Sequence, residues 1–159
     1  MNSPKNPRTA LEDILQRKKA GHKAAASAGP APTEAQEMMV LAEYLNLSGF
    51  LWLHVPNEGK RSVVAGRRAK ALGLSPGAPD VLIFDQTSHG DPGMAIELKR
   101  IKGSRVGDRQ QQWIWDLRKR GWVAVICYGS DQAIEAINRW YKGSEHKRHN
   151  QMRRIYGED

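Results

Sequence analysis

Apolar and polar positions follow two different periods along the chain, and the change of period separates helices from strands. Met38, Leu41 and Leu45 form an apolar stripe with helical spacing, which predicts a first core helix capped by Thr33 and ended by Gly49. Short apolar runs bounded by Gly, Pro or Asp predict strands instead.

Four apolar runs have the length of strands, and two later segments show the helical period. The predicted strands are residues 50–55 (FLWLHV), 80–85 (DVLIFD), 93–99 (GMAIELK) and 122–129 (WVAVICYG), and the later helices are residues 104–121 and 130–141. Within residues 65–73 we expect a helical turn or two. The order α-β-β-β-α-β-α predicts an α/β fold, with a central mixed sheet flanked by helices. Because the fourth run is apolar throughout, we expect that strand to be buried on both faces.

The two ends of the chain differ in composition from its middle. Residues 1–32 combine a short amphipathic helical pattern with a linker rich in Ala, Pro and Gly, and residues 142–159 form a second polar end. We therefore place one domain at residues 33–141. The net charge is +8, and the basic excess is concentrated in the two ends. Basic ends of this kind bind phosphate backbones, and the alternative is that they only improve solubility.

Several classes of protein do not fit the sequence. No apolar run reaches the length of about 18 residues that a membrane span needs, so no membrane partner is expected. The N-terminal residues lack the apolar segment of a signal peptide, which favours an intracellular protein. Cys127 is the single cysteine, so an internal disulfide is excluded. It lies in an apolar strand and is interpreted as a core residue.

The candidate chemistry lies at the edges of two predicted strands. Glu97 and Lys99 are two residues apart and therefore share a face, and Asp80 opens the preceding strand of the hairpin. Neighbouring carboxylates repel each other unless a proton or a cation lies between them, and such oxygen ligands suit Mg²⁺ or Mn²⁺. A nearby lysine can stabilise the charge that develops during phosphodiester hydrolysis. The alternative is a turn residue, Asp80, beside a solvated Glu97–Lys99 pair.

Several motifs in one order resemble a known family. The stretches GAPDVLIF (77–84), MAIELK (94–99) and RQQQWIWDLRKRGWVAVICYG (109–129) are similar to the PD-(D/E)XK nuclease superfamily. More narrowly, they resemble its VRR-Nuc family, the virus-type replication-repair nucleases. The resemblance covers residues 33–141 and implies a restriction-endonuclease-like core.

The resemblance also implies roles for individual residues. Asp80 and Glu97 would be metal ligands together with the backbone carbonyl of Leu98. Lys99 would be the catalytic cation, and Gln110 would orient Lys99 or the scissile phosphate.

An acid on the first helix would complete the site. The resemblance implies that Glu34 reaches the metal directly or through water, although Glu37 lies one turn further on and faces nearly the same way. Both acids also suit a helix N-terminus without any catalytic role.

Contacts to nucleic acid are expected in the loops. Asn57 and Arg61 lie in a stretch, HVPNEGKR, that matches the family, and Lys102 follows the second strand of the hairpin. A basic patch at Arg67, Arg68 and Lys70 would face DNA, or it would be a solvated turn.

The function implied is a divalent-metal-dependent DNA endonuclease, with Mg²⁺ or Mn²⁺ as cofactor. The family implies a phage or bacterial protein that cuts branched DNA resembling a Holliday junction, works as a homodimer and acts in the bacterial cytoplasm. One alternative is a catalytically silent DNA-binding accessory protein, which would be expected to lack one of the acids or the lysine. The other is a sequence-specific restriction-type endonuclease, which would need further elements for reading bases.

Overall fold

A computed structural model of the chain describes residues 31–56, 62–87 and 89–141, and Gln16 alone nearer the N-terminus. Its elements are α1 (Glu34–Leu47), β1 (Trp52–His54), α2 (Val63–Ala71), β2 (Val81–Ile83), β3 (Met94–Lys99), α3 (Asp108–Lys119), β4 (Val123–Tyr128) and α4 (Ser130–Tyr141). The predicted basic ends lie almost wholly outside these ranges, so the division into a domain and two ends stays a prediction.

The four strands form one mixed sheet in the order β1-β2-β3-β4. The first three strands pair antiparallel, and β4 runs parallel to β3. This arrangement confirms the α/β fold class predicted from the sequence. The segment expected to form a helical turn or two is the nine-residue helix α2, which begins earlier than expected because the side chain of Ser62 accepts a hydrogen bond from the N–H of Ala65 and caps it.

Two apolar cores lie on opposite faces of the sheet. The larger core packs α1 and α4 against one face, and its central side chains include Leu41, Leu45 and Ile137. The smaller core packs α3 against the other face through Ile114 and Leu117. All six residues of β3 are buried between these two layers.

The edge strand β4 departs from the expected burial. Ala124 and Cys127 are buried, but the side chain of Tyr128 is 42% exposed. The expectation of burial on both faces is wrong for this residue because β4 has a neighbour on one side only and ends at the rim of the sheet. Burial raises the pKa of Cys127 to about 11, which keeps the thiol protonated, as expected of a core residue rather than a nucleophile.

The start of α1 is fixed by its own side chains. Thr33 is the N-cap, as predicted, and its hydroxyl oxygen accepts from the N–H of Gln36 while the Gln36 side chain accepts from the N–H of Thr33. This reciprocal capping sets the first turn, in which Glu34 and Glu37 lie. Among the described helices, none combines the length and the apolar character needed to cross a membrane.

Candidate active site

Asp80 lies opposite Glu97 at the end of the β2–β3 pair. Val81 pairs with Ile96 in antiparallel register, so the residues one step further out, Asp80 and Glu97, face each other. The N–H of Leu98 donates to Oδ2 of Asp80 at 2.8 Å. The Asp80 side chain thus accepts a backbone hydrogen bond at the point where β2 ends, which holds its carboxylate at the rim of the sheet.

Glu97 is the centre of a buried polar group on the face that α3 covers. The side chain of Glu97 is 1% exposed, and its Oε1 lies 2.5 Å from Nζ of Lys99. Gln110 of α3 donates from Nε2 to the same oxygen, and the N–H of Gly107 holds the Gln110 side chain from its other end. The contact between Glu97 and Lys99 confirms that they share a face, as their spacing predicted.

The second oxygen of Glu97 differs from the first. Oε2 is buried and has no hydrogen-bond partner among the described residues. Unpartnered buried oxygens are rare because the lost hydration is not replaced, and such an oxygen is suited to bind an ion or a water.

The charges at this site are unbalanced. Burial, together with the charges of Asp80 and Glu34, raises the pKa of Glu97 to about 7 against the lowering effect of the Lys99 contact. Burial disfavours the charge on Lys99, but the hydrogen bond with Glu97 and the surrounding carboxylates outweigh it and raise the pKa of Lys99. Three carboxyl groups therefore surround one protonated lysine, and either a proton on Glu97 or a bound cation relieves the excess of negative charge.

The two acids of α1 have different surroundings. Glu34 is half-buried and lines a cleft together with Asp80 and Leu98. Glu37 is buried and accepts hydrogen bonds from the N–H of Ser130 at 2.8 Å and from its hydroxyl at 2.5 Å, at the start of α4. The structure thus places Glu34 beside Asp80, whereas Glu37 joins α1 to α4.

Comparison with known proteins identifies the family of this chain. The sequence model of the VRR-NUC domain matches residues 32–131, well over half of the chain. The chain belongs to the VRR-NUC domain family. A solved structure of a VRR_NUC domain protein shares its fold, with a TM-score of 0.62 and 24% sequence identity over 73% of this chain and 94% of that one. Among curated proteins, no relative of significant similarity is found.

Membership of the VRR-NUC family makes this chain a nuclease-type protein and raises the question of whether its residues suit a divalent metal. In the part of the chain that the structure describes, no three His, Cys, Asp or Glu side chains converge into a ready-made metal site. Mg²⁺ needs few protein ligands, since one or two carboxylates with waters and substrate phosphates are sufficient. Asp80, Glu97 and the Leu98 carbonyl fit that requirement, and the unpartnered Oε2 of Glu97 supports the fit.

The predicted nucleic-acid contacts are spread over the surface. Arg67, Arg68 and Lys70 are exposed on α2, and Lys102 is exposed in the loop after β3. Arg68 and Lys70 also lie in the last turn of α2, where cations suit the helix dipole without any ligand. Asn57 and Arg61 fall outside the described residues. These contacts with DNA stay predictions.

Two features of the site were not predicted from the sequence. One is the presence of His54, and the other is the hydrogen bond between Gln110 and Glu97. His54 lines the cleft, and its Nδ1 lies 3.0 Å from the carbonyl oxygen of Asp80. The spacing in the sequence could have indicated His54, because Trp52 and His54 are two residues apart on β1 and therefore share a face of the sheet. Gln110 was expected to orient Lys99 or a phosphate, but in the structure it holds Glu97.

Proposed function

We propose that this chain is a divalent-metal-dependent endodeoxyribonuclease that hydrolyses phosphodiester bonds in branched DNA. The observation that carries the proposal is the buried group of Asp80, Glu97 and Lys99, with one Glu97 oxygen left unpartnered. An unpartnered, buried carboxylate oxygen beside a second carboxylate is available to bind a divalent cation.

In this proposal Asp80, Glu97 and the Leu98 carbonyl would hold Mg²⁺ or Mn²⁺, and Glu34 would bind it directly or through water. When bound, such a cation polarises the phosphate and lowers the pKa of an attacking water. The hydrogen bond from the Leu98 N–H orients the Asp80 carboxylate before any substrate arrives.

Lys99 supplies the positive charge of the protein itself. The surrounding carboxylates raise its pKa, so the ammonium stays protonated at neutral pH. A fixed ammonium near the phosphate stabilises the negative charge that builds up on the phosphate oxygens in the transition state. Gln110 holds Glu97 from α3, which keeps the carboxylate on the face where Lys99 acts.

The test is cleavage by the purified full chain. Labelled four-way junction, flap, single-stranded and duplex DNA are each incubated with Mg²⁺, with Mn²⁺ or with excess chelator, and the products are mapped. We expect cleavage only with a divalent cation and faster cleavage of branched DNA than of plain duplex. DNA binding should persist in chelator, because basic residues and not the metal supply most phosphate contacts.

Other results would assign other functions. Cleavage at full rate in excess chelator would contradict the metal-dependent mechanism. Binding without cleavage under every metal condition would indicate the silent accessory protein, and cleavage at one base sequence only would indicate the restriction-type enzyme. The molecular mass in solution, measured with and without DNA, tests the proposed homodimer.

A further inference from the structure

An apolar cleft lies between α1 and β1, on the face of the sheet opposite α3. Its volume is about 390 Å³, and Met38, Met39 and Trp52 are the large apolar side chains of α1 and β1 that line it. Met39 is 70% exposed and lies next to Met38 and Trp52, so several apolar side chains form one accessible surface here. The indole N–H of Trp52 donates to Asn46 at 2.9 Å, which holds the ring in place. The cleft is therefore a built surface with a fixed aromatic side chain.

One end of this cleft is the candidate active site. Glu34 and Asp80 line the cleft, and His54 stands between them and Trp52 on the sheet side. If Asp80 helps to hold the scissile phosphate through a metal, the nucleotide attached to that phosphate is within reach of the cleft. The two carboxylates repel a second phosphate at this end, but they do not repel an uncharged ring.

We propose that the cleft receives an unpaired nucleobase adjacent to the scissile phosphate. The inference rests on the proposed nuclease function and deepens it by naming the part of the substrate that is recognised. Every base presents a π-face, so contact with Trp52 and the polarisable thioethers of Met38 and Met39 is tolerant of sequence.

This cleft selects the structure of the DNA and not its sequence. Few polar groups line it, so it offers little to distinguish one base edge from another. A base in intact duplex must leave its stack and its partner before it can enter, whereas a base at a fork or a flap is already unpaired. Binding of an unpaired base in the cleft would then explain the proposed preference for branched DNA, which the metal site alone does not explain.

Oxidation of Met39 by hydrogen peroxide reports directly on the cleft. The full chain is treated in chelator, which prevents cleavage, either alone or with forked DNA or duplex of equal length. Mass spectrometry then measures sulfoxide at Met39, with the fully buried Met94 as the internal reference. We expect forked DNA to slow the oxidation of Met39 several-fold and duplex to slow it less. Abasic sites are then placed one by one at the nucleotides around the fork, and one position should restore the rate seen without DNA.

A matched pair of variants links the cleft to turnover. Met39→Ala shortens a side chain in the cleft, and Leu51→Ala shortens one that is 69% exposed and does not line it. On intact forked DNA, Met39→Ala should lower the single-turnover rate several-fold, and Leu51→Ala should leave it unchanged. On the critical abasic fork, Met39→Ala and the original chain should react at the same rate.

Three results would overturn the proposal, and they are distinguishable. Equal oxidation of Met39 with and without forked DNA, while cleavage remains metal-dependent, would refute the base site and leave the nuclease intact. Failure to cleave any DNA would refute the nuclease function and this inference together. Oxidation of Met39 as slow as that of Met94 in the free chain would show that a second copy or the N-terminal segment already covers the cleft.

Discussion

Near the candidate site, the two faces of the sheet differ in what they bury: one face buries charged side chains, and the other exposes apolar ones. On the α3 face, the charged pair Glu97 and Lys99 is buried with Gln110, and these side chains contact one another. On the α1 face, Met39 is exposed beside the cleft. Burial raises the pKa of Glu97, and such shifted pKa values are typical of catalytic sites. Exposed apolar surface is typical of binding sites. The comparison predicts that substitutions in the buried charged group lower the rate on every DNA, whereas substitutions of the apolar side chains of the cleft lower it only on DNA with an unpaired base.

The largest effect is expected for Lys99→Ala. Loss of an ammonium that acts on the transition state should lower the single-turnover cleavage rate by about 10²-fold or more. DNA affinity should fall little, because one cation among many phosphate contacts is a small contribution. The measurements are cleavage rate, DNA affinity and Tm for the variant beside the original chain. A normal rate would exclude the catalytic role of Lys99 and would contradict the assignment of the chemistry to the α3 face.

The two acids of α1 form a matched pair that separates chemistry from folding. Glu34→Gln should lower the cleavage rate by about 10- to 100-fold, as for a group that binds or orients a metal, with Tm unchanged. Glu37→Gln removes a buried carboxylate that accepts two hydrogen bonds from Ser130. It should reduce the free energy of unfolding by about 1–3 kcal/mol and leave the rate of the folded enzyme nearly unchanged. Thermal unfolding and single-turnover cleavage are measured for both, and an exchange of the two effects would assign the site to Glu37.

The ionisation of Glu97 gives a test that needs no DNA. Its pKa in the folded chain is about 7, above the ordinary value of 4.5, so the folded state binds this proton more tightly than the unfolded state does. In metal-free buffer the contribution of Glu97 to stability is therefore full below the ordinary pKa, decreases as the pH rises through about 7, and is level above it. Urea unfolding across this range should show the decrease, and the same series on Glu97→Gln should lack it. Equal pH profiles for the two chains would mean that Glu97 ionises normally.

Much of the fold follows from the sequence because side-chain period and turn residues are local signals. The alternation in MAIELK places Glu97 and Lys99 on one face, and the structure has them in contact. The same pattern contains no information about which element covers that face. The hydrogen bond between Gln110 and Glu97 joins α3 to β3. The one between Glu37 and Ser130 joins α1 to α4, which lie far apart in the chain. They depend on how helices pack on the sheet, which local periodicity does not encode.

The cleft was not predicted for a related reason. Met38 fits the apolar stripe of α1 and packs partly against the core, so its spacing alone indicates an ordinary core position. Its second role beside Met39 depends on β1 lying next to α1, because Trp52 and His54 of β1 line the same cleft. Which strand lies next to which helix is set by tertiary packing, and local sequence patterns do not specify it.

The smallest effect is expected at His54, which links the two faces through the backbone of Asp80. The carbonyl oxygen of Asp80 can only accept, so Nδ1 of His54 donates to it at 3.0 Å, and the N–H of Val55 donates to the same oxygen at 2.8 Å. With two donors on one carbonyl, His54→Ala removes one of them and keeps the hydrogen bond from the Val55 N–H.

Loss of one such hydrogen bond corresponds to about 1 kcal/mol, so His54→Ala should lower the single-turnover rate by about five- to tenfold. His54→Asn carries a side-chain amide that can donate in place of Nδ1, and it should recover most of the rate. Affinity for forked DNA should stay unchanged in both variants if His54 acts by positioning Asp80. A rate that Asn does not recover, together with weaker binding of forked but not duplex DNA, would instead mean that the ring contacts the substrate in the cleft and belongs with recognition.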